Sequence, residues 1–235
     1  MSNVKPAFLN GASVDGLLAM GQFGTILADP PWRFCNSTGK VAPEHRRLAR
    51  YPTMALQEIL ELPIAQIALP QSHLYLWVPN ALVLEGLEVM KRWGFTYKTN
   101  IVWYKVRKDG GPDGRGVGFY FRNVTELVLF GTRGNLRTSA PGRRQVNIIV
   151  SRKREHSRKP DELYQIIEKC SPGPYLELFA RQHREGWSCW GNEVTPCDHS
   201  LFPYARNAHG NAHRFAQPRL LETGTRYVVD RNGGD

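Results

Sequence analysis

The sequence predicts an α/β fold in which a mainly parallel sheet lies between two layers of helices. Short apolar runs recur along the chain, and most are continuous rather than alternating, as in strands that are covered on both faces. Segments with helical spacing of apolar residues separate several of these runs. Strands that alternate with helices build three-layer α/β domains, so we expect that architecture here.

Seven runs are expected to be strands, because each is short, apolar and rich in β-branched or aromatic residues. In chain order they are Thr25–Ala28, Leu74–Val78, Asn100–Tyr104, Glu126–Phe130, Val146–Val150, Tyr175–Ala180 and Trp187–Trp190.

Three helices are expected between these strands. Thr53 is a suitable N-cap for the first, and the second covers Ala81–Trp93 and ends at Gly94, a residue suited to the left-handed C-terminal position. The third begins at Pro160, which is favoured in a first turn, and ends before Ser171. The apolar positions of these helices are Leu56, Ile59, Leu60, Leu84, Leu87, Val89, Met90, Leu163, Ile166 and Ile167.

Two regions do not fit the alternation of strands and helices. Residues Arg107–Gly118 contain five glycines and a proline, which predicts a long mobile loop. Residues 195–235 are polar and basic, and we expect a tail or a small appendage there, after a main domain of residues 1–194. Cys197 and His199, with Cys189 or His183, match no standard zinc spacing, so no metal site is expected.

Composition limits the functional classes. The chain has 235 residues and a formal charge of +10, from 31 Lys and Arg against 21 Asp and Glu, which favours a polyanionic partner such as nucleic acid. Its four cysteines are widely spaced without a C-x-x-C pair, as expected in a reducing cytosol. No apolar stretch approaches membrane-spanning length, so we expect a soluble, unprocessed cytoplasmic protein with no membrane partner.

The tetrapeptide Asp29-Pro30-Pro31-Trp32, at the end of the first strand, is the most informative motif. Asp29 Oδ and the carbonyl of Pro30 can each accept one N–H of a planar amine. Prolines donate no N–H, so we expect their carbonyls to meet little competition from backbone pairing. Trp32 can stack on a flat ring, such as an adenine taken out of a nucleic-acid stack. The structural alternative is a strand that ends at a proline turn, with Trp32 in the core.

Several further segments occur in a characteristic order around this motif. They are Thr25–Trp32, Tyr51–Met54, Leu74–Val78, Ile101–Lys105, the strand around Glu126, His156–Glu162, Glu177–Arg181 and Gly191–Asn192. Together they resemble the MT-A70 family, whose members are N6-adenine methyltransferases that depend on S-adenosylmethionine. The resemblance covers Phe23–Glu193 and implies a Rossmann-like methyltransferase fold in which the catalytic block precedes the cofactor-binding strand.

The resemblance also implies a cofactor site. A nucleotide-like ligand would bind at the carboxyl edge of the sheet. The implied contacts are Asp29, Lys159, Glu177, Arg181, Arg184, Asn192 and Glu193. Arg184 and Glu193 replace amides that are common in the family. The Gly-x-Gly signature of many Rossmann-like sites is absent after Glu177, and without the resemblance Lys159 and Arg181 read as solvated basic surface.

Four residues are expected to bind the target. Tyr51 matches a family position beside the target base, and Arg122 and Glu126 bracket a strand where the family has a gate. Arg122 can reach a phosphate and Glu126 can orient a neighbouring side chain. Lys105 belongs to a set of basic segments expected to line one face around the pocket. These segments are Lys105–Lys108, Arg143–Arg144, Arg152–Arg154 and Arg158–Lys159.

The preferred function is methyl transfer from S-adenosylmethionine to N6 of a flipped adenine in DNA, with Asp29, Pro30, Pro31 and Trp32 as the catalytic block. RNA adenine is the first alternative, and a catalytically silent nucleic-acid-binding subunit is the second. A small-molecule methyltransferase fits the core but leaves the charge of +10 unexplained. The sequence leaves open whether the chain acts alone, as a homodimer or with a partner subunit.

Overall fold

A computed structural model describes residues 13–33, 53–114, 120–152 and 158–194. Within these residues, seven strands form one sheet in the order β5-β3-β4-β2-β1-β6-β7. Their bounds are β1 Phe23–Ala28, β2 Ala68–Val78, β3 Thr96–Val106, β4 Thr125–Arg133, β5 Ile148–Arg152, β6 Tyr175–Leu178 and β7 Trp187–Trp190. All seven expected strands are therefore confirmed, with shifted ends.

The sheet is mainly parallel, as predicted. Strand β1 pairs in parallel with β2 and β6, β6 pairs in parallel with β7, and β3 pairs in parallel with β5. Only β4 runs the other way, antiparallel to both β2 and β3. The start of β4 consequently lies at the same edge of the sheet as the carboxyl ends of the other six strands.

Helices cover both faces of this sheet. Helices α1 Val14–Ala19, α2 Leu56–Leu60, α3 Ile64–Ile67 and α4 Val83–Arg92 pack on one face, around Ile26, Leu74 and Leu176. Helix α5 Glu162–Cys170 packs on the other face, around Leu27, Tyr75 and Trp103. Short 3-10 turns lie at Asn80–Leu82 and Ala140–Gly142. The expected three-layer α/β architecture, with a mainly parallel sheet flanked by helices, is confirmed.

Three details of the predicted helices were wrong. Thr53 does not cap α2: the helix begins after Ala55, whose N–H donates to Glu58 Oε2 at 2.6 Å. Leu84 was expected to face the core but is 79% exposed, because α4 rests on the sheet through Gly86, Val89 and Met90 instead.

The expected start of the third helix was also two residues early. Helix α5 begins at Glu162, with Asp161 in the capping position, and Pro160 lies just before it. The other end was predicted correctly, because α5 ends at Cys170, before Ser171.

Strand β5 departs from the expectation that most strands are covered on both faces. It lies at one edge of the sheet, and its residues alternate between exposed and buried. Ile149 is buried against the α5 layer, whereas Ile148 and Val150 are exposed on the opposite face. The continuous apolar run therefore does not imply burial on both sides at this position.

The beginning of the expected loop at 107–118 has a definite fold. Arg107 N–H donates to the carbonyl of Gly111, Pro112 forms a bridge with Val106, and Asp113 N–H donates to the carbonyl of Lys105. Residues 107–113 thus turn back onto the end of β3, and Asp113 is buried. Residues 115–119 and the predicted tail at 195–235 lie outside the described residues. Among the described residues, no helix has the length and apolar character needed to cross a bilayer.

Candidate active site

The tetrapeptide Asp29-Pro30-Pro31-Trp32 lies at the carboxyl edge of the sheet, directly after β1. Successive side chains of a strand point to opposite faces, so Asp29 points to the same face as Leu27, which packs in the α5 layer. Its side chain is 31% exposed. The Asp29 carboxylate therefore lies partly exposed at the carboxyl edge of the sheet rather than in the core.

The two prolines and Trp32 are more constrained than the sequence suggested. The carbonyl of Pro30 accepts the N–H of Trp32 at 2.8 Å, and the carbonyl of Pro31 accepts the N–H of Met54 at 2.9 Å. The expectation that these carbonyls would be spared backbone pairing was wrong, because the chain folds back after Pro30 and pairs with the segment at Met54. One lone pair of the Pro30 carbonyl remains for a ligand.

Trp32 is 6% exposed and packs in the core on the α1–α4 face. Its indole N–H donates to the carbonyl of Trp77 at 2.9 Å. In this structure Trp32 does not offer a face for a base to stack on. The alternative interpretation, a proline turn at the end of a strand with Trp32 in the core, describes it better. It anchors the turn that presents Asp29.

Asp29 and three further charged side chains form a continuous line. Lys159 Nζ lies 3.0 Å from Asp29 Oδ2 and 3.3 Å from Glu126 Oε2, and Glu126 Oε1 accepts a hydrogen bond from Lys105 Nζ. We call Asp29, Lys159, Glu126 and Lys105 the charged row. Its members come from the turn directly after β1, from the segment before α5, from the start of β4 and from the end of β3.

Two tryptophans support the lysines of the charged row. Lys159 Nζ lies 5.0 Å from the centre of the Trp77 ring, and Lys105 Nζ lies 4.8 Å from that of Trp103. The two rings meet edge to face at 6.0 Å. Both tryptophans are buried, and each also attracts a cation through its ring face.

Two members of the charged row, Lys159 and Glu126, are held in their charged forms by their partners. Burial alone would lower the pKa of Lys159, but Asp29 and Glu126 outweigh it, and the net pKa is raised. Burial alone would raise the pKa of Glu126, but Lys159 and Lys105 outweigh it, and the net pKa is lowered. Two positive and two negative charges therefore face each other at the edge of the sheet.

A second cluster surrounds Glu177, which lies opposite Leu27 in the β1–β6 pair, two residues before Asp29. Tyr164 of α5 donates its hydroxyl to Glu177 Oε1 at 2.8 Å. Burial is the largest influence on Glu177 and, together with Asp29, raises its pKa although Tyr164 and Arg184 act in the opposite direction. Glu177 is thus held in a fixed position with its carboxylate shielded from bulk water.

The ends of β6 and β7 are pressed closely together. Phe179 takes the left-handed backbone conformation, with φ of 62°, which a glycine would adopt at lower cost. Ala180 N–H donates to the carbonyl of Trp190 at 3.0 Å, and a Cβ on Gly191 would lie 2.2 Å from the carbonyl oxygen of Ala180. Phe179 therefore makes the left-handed turn after β6 without a glycine.

The remaining predicted cofactor residues are close to these strand ends. Arg181 and Glu193 face each other at 3.9 Å, and both are about half exposed, with Asn192 beside them. Arg184 instead stacks on the Tyr164 ring at 3.6 Å and pairs with Asp161 at 3.2 Å. Its interactions are thus with the α5 segment, where they support the residue that holds Glu177.

The predicted substrate residues have different outcomes. Lys105 and Glu126 belong to the charged row, in which Glu126 is paired with both Lys105 and Lys159. Arg122 lies exposed before β4, outside the charged row. Tyr51 lies outside the described residues.

The basic segments do not all surround the pocket. Arg143 follows the 3-10 turn whose Gly142 packs against Cys170, at the carboxyl end of α5. Lys159 lies before the opposite end of that helix. Arg143 and Arg144 are therefore at the far edge of the sheet. The expectation that they line the face around the pocket was wrong, because the antiparallel strand β4 carries the chain away from the site.

Three contributors were missed from the sequence. Tyr164 and Asp161 position Glu177 and Arg184, and Asn80 fixes the start of β4 by donating to Thr125 Oγ1 at 3.0 Å and to its carbonyl at 3.2 Å. The position of Asn80 directly after a strand was a usable signal for a residue at this edge. Across the described ranges, no group of three or more His, Cys, Asp or Glu side chains is arranged to hold a metal ion.

Comparison with known proteins gives a family. A family model described as MT-A70 matches residues 23–193. A putative N(6)-adenosine-methyltransferase MT-A70-like of Medicago truncatula is 35% identical over 182 residues, which are 75% of this chain and 27% of the relative. The catalytic subunit METTL3 of the human N(6)-adenosine-methyltransferase is 31% identical over 181 residues, 74% of this chain and 29% of the relative.

A shorter relative matches over most of its own length. The Type II methyltransferase M.MunI of Mycoplasma sp is 29% identical over 189 residues, which are 74% of this chain and 78% of the relative. The chain spans about a quarter of the length of the plant relatives that it matches. The family model covers all seven strands and the strand ends described above, and this chain belongs to the MT-A70 family.

Proposed function

We propose that this chain transfers a methyl group from S-adenosylmethionine to N6 of an adenine in DNA. The observation that carries the proposal is the partly exposed Asp29 carboxylate at the carboxyl edge of an MT-A70 domain, with a lysine already paired to it. A carboxylate that holds an ammonium group in this way is positioned to accept an N–H from an amino group.

The target amine needs two acceptors. The lone pair of the adenine amino nitrogen is delocalised into the ring, so the nitrogen is a poor nucleophile. Asp29 and the free lone pair of the Pro30 carbonyl can each accept one N–H, which favours a pyramidal nitrogen with a more available lone pair. Trp32 holds the two acceptors in place through its bond to the Trp77 carbonyl. Their main contribution is orientation, with one amino proton leaving toward Asp29 as the methyl group is gained.

The strand ends beside Asp29 fit the proposed cofactor. S-adenosylmethionine, when bound, supplies a methyl group attached to a sulfonium sulfur. Once the methyl group has been transferred, the rest of the cofactor leaves as a neutral thioether. Tyr164 occupies Glu177 Oε1, so Oε2 is the acceptor suited to ribose hydroxyls. The tight approach of Gly191 to Ala180 leaves no room for a Cβ and brings the ends of β6 and β7 together around this position. Arg181, Asn192 and Glu193 border the same place.

The charge of the chain supports a nucleic-acid substrate. The formal charge is +10, and four exposed basic residues lie at the carboxyl edge: Arg107 and Lys108 after β3, Arg122 before β4 and Arg152 at the end of β5. Such side chains bind phosphates and position a strand without reading its sequence. We propose DNA as the substrate, supported by the match to a Type II methyltransferase over 78% of its length.

RNA is the second candidate substrate. Several relatives are named N(6)-adenosine-methyltransferases, and adenosine is the ribonucleoside. The two substrates require the same chemistry at Asp29 and differ only in the strand that delivers the adenine.

Tritium transfer from labelled S-adenosylmethionine to duplex DNA, single-stranded DNA and RNA tests the proposal. We expect adenine-dependent labelling, strongest with duplex DNA, that falls to background in Asp29→Ala while calorimetry shows cofactor binding largely intact. Glu61→Gln, on the exposed surface of the segment after α2, is the control and should keep the wild-type rate. Near-normal transfer by Asp29→Ala, or no transfer to any nucleic acid by a folded protein that binds the cofactor, would refute the proposed function.

A further inference from the structure

We propose that Glu126 is a positioning residue that receives Lys159 when the substrate amine takes Asp29, and that Lys105 is the counter-ion that tunes this exchange. The inference rests on the proposed function and deepens it. In this proposal the charged row does more than neutralise charge. It lets the Lys159 ammonium group move between two positions, one beside Asp29 and one beside Glu126.

The first argument is competition for one carboxylate. Lys159 Nζ lies 3.0 Å from Asp29 Oδ2, so it occupies one of the two carboxylate oxygens and takes up part of the negative charge that an incoming N–H would meet. An ammonium group and a neutral amino group both donate, so they compete for the same acceptor, and the cation is the stronger partner. An adenine amine can engage Asp29 fully only if Lys159 gives up part of its bond.

The second argument is the presence of an alternative carboxylate. Lys159 Nζ is already 3.3 Å from Glu126 Oε2, so a shift of the ammonium group toward Glu126 keeps its charge paired throughout. Withdrawing a largely buried cation from its carboxylate with no second partner would leave an unpaired charge, which is strongly unfavourable. The Trp77 ring below Lys159 provides a contact that does not depend on which carboxylate is bound.

The third argument concerns Lys105. It binds the other oxygen of Glu126 from its place over Trp103, and so shares the negative charge that attracts Lys159. Without Lys105, the full charge of Glu126 would hold Lys159 more tightly. With Lys105 present, Asp29 and Glu126 attract the Lys159 ammonium group more equally, and this ammonium group can move between the two carboxylates.

A double-mutant cycle separates this role from a general structural one. Glu126→Gln leaves Lys159 with Asp29 as its carboxylate, so the KM for an adenine-containing oligonucleotide should rise by about tenfold to a hundredfold, the range for a charge-assisted hydrogen bond. At saturating oligonucleotide, kcat should change by much less. In the Lys159→Met background the competing cation is absent, and Glu126→Gln should leave KM unchanged.

Equal increases of KM in the two backgrounds would overturn the proposal, because Glu126 would then act without Lys159. Glu126→Asp keeps the carboxylate and should recover most of the wild-type KM. Thermal unfolding of each variant establishes that it is folded before its kinetics are compared.

A measurement without nucleic acid keeps the exchange testable even if the proposed function fails. The Lys159 ammonium signal, assigned by nitrogen NMR with Lys159→Arg as the reference, is titrated in the free protein. Glu126→Gln should lower the pKa of Lys159, since one carboxylate is lost, and Lys105→Met should raise it, since Glu126 is no longer shared. No change in either variant, or shifts in the same direction, would overturn the role of the charged row.

Discussion

Within the tetrapeptide, Asp29 and Trp32 have opposite surroundings although only two residues separate them. Asp29 points to the α5 face and is partly exposed, whereas Trp32 packs on the other face and is 6% exposed. The turn that closes when Trp32 N–H donates to the Pro30 carbonyl separates them. The motif therefore combines an exposed acceptor with a buried anchor, and the anchor fixes the acceptor.

Trp32→Phe should destabilise the protein by about 1–3 kcal/mol, because it removes the indole N–H that satisfies the Trp77 carbonyl. Urea unfolding measures the change. Trp93→Phe is a matched variant, since Trp93 is also buried and donates its indole N–H to the Ile59 carbonyl at 3.0 Å. Trp93→Phe should lower the free energy of unfolding by a similar amount.

The two variants should differ in activity. Trp32→Phe should also slow methyl transfer, because the acceptors of the tetrapeptide lose their anchor, whereas Trp93→Phe, on the α4 side of the core, should not. Equal rates in the two variants at matched temperature would show that Trp32 contributes stability alone.

At the scale of elements, close approach of helix and sheet depends on glycine at particular places. Gly86 of α4 lies against Val78 of β2 and Leu129 of β4, and a Cβ there would be 2.6 Å from Val78 Cγ2. Gly131 of β4 leaves similar room for Met90 of the same helix. Helix α4 can therefore lie close to the sheet directly behind the strands that end at the active-site edge.

Gly86→Ala should lower the melting temperature. Overpacking costs about 1–3 kcal/mol, and the gain in helix propensity is at most about 1 kcal/mol, so the balance is unfavourable. Val78→Ala makes room for the new methyl group. The double variant should therefore lose less stability than the sum of the two single changes, and strict additivity in thermal unfolding would contradict the close contact.

At the scale of the whole molecule, a buried polar network lies in the body of the sheet, away from the site. Ser171, after α5, lies 2.8 Å from both Tyr75 Oη and His73 Nδ1, and His73 Nε2 lies 3.2 Å from the Leu136 carbonyl. The arrangement is satisfied if Tyr75 donates to Ser171, Ser171 to His73 and His73 to Leu136. It ties β2 to the end of α5 and requires a neutral histidine.

This network predicts acid sensitivity. Burial is the main cause of the lowered pKa of His73, opposed by its bond to the Leu136 carbonyl. Because the folded-state pKa is below the unfolded value of about 6.5, the unfolded state binds more protons, and the stability from neutral His73 is present above that pH and lost as the pH falls below it.

Urea unfolding at several pH values from about 7.5 to about 5, the range in which histidine titrates, tests the predicted acid sensitivity. The free energy of unfolding should fall less steeply in His73→Gln, which cannot titrate, than in the wild type. Parallel curves for the two proteins would show that His73 does not cause the loss.

The sequence by itself determined the seven strands, the presence of helices between them and the position of Asp29 at a strand end. These features follow from local patterns, since apolar runs and proline turns are set by neighbouring residues. The alternation of side chains along a strand also places Lys105 on the face of Trp103 and Glu126 on the face of Val128.

Only the tertiary structure decided which of these residues meet. The antiparallel entry of β4 brings Glu126 beside Lys105, and the return of the chain before α5 brings Lys159 between Glu126 and Asp29, although Lys159 stands 130 positions after Asp29 in the sequence. The same packing buried Trp32 and moved Arg143 to the far edge. Contacts between distant segments depend on strand order and on which helix covers which face, and no local pattern in the chain specifies either.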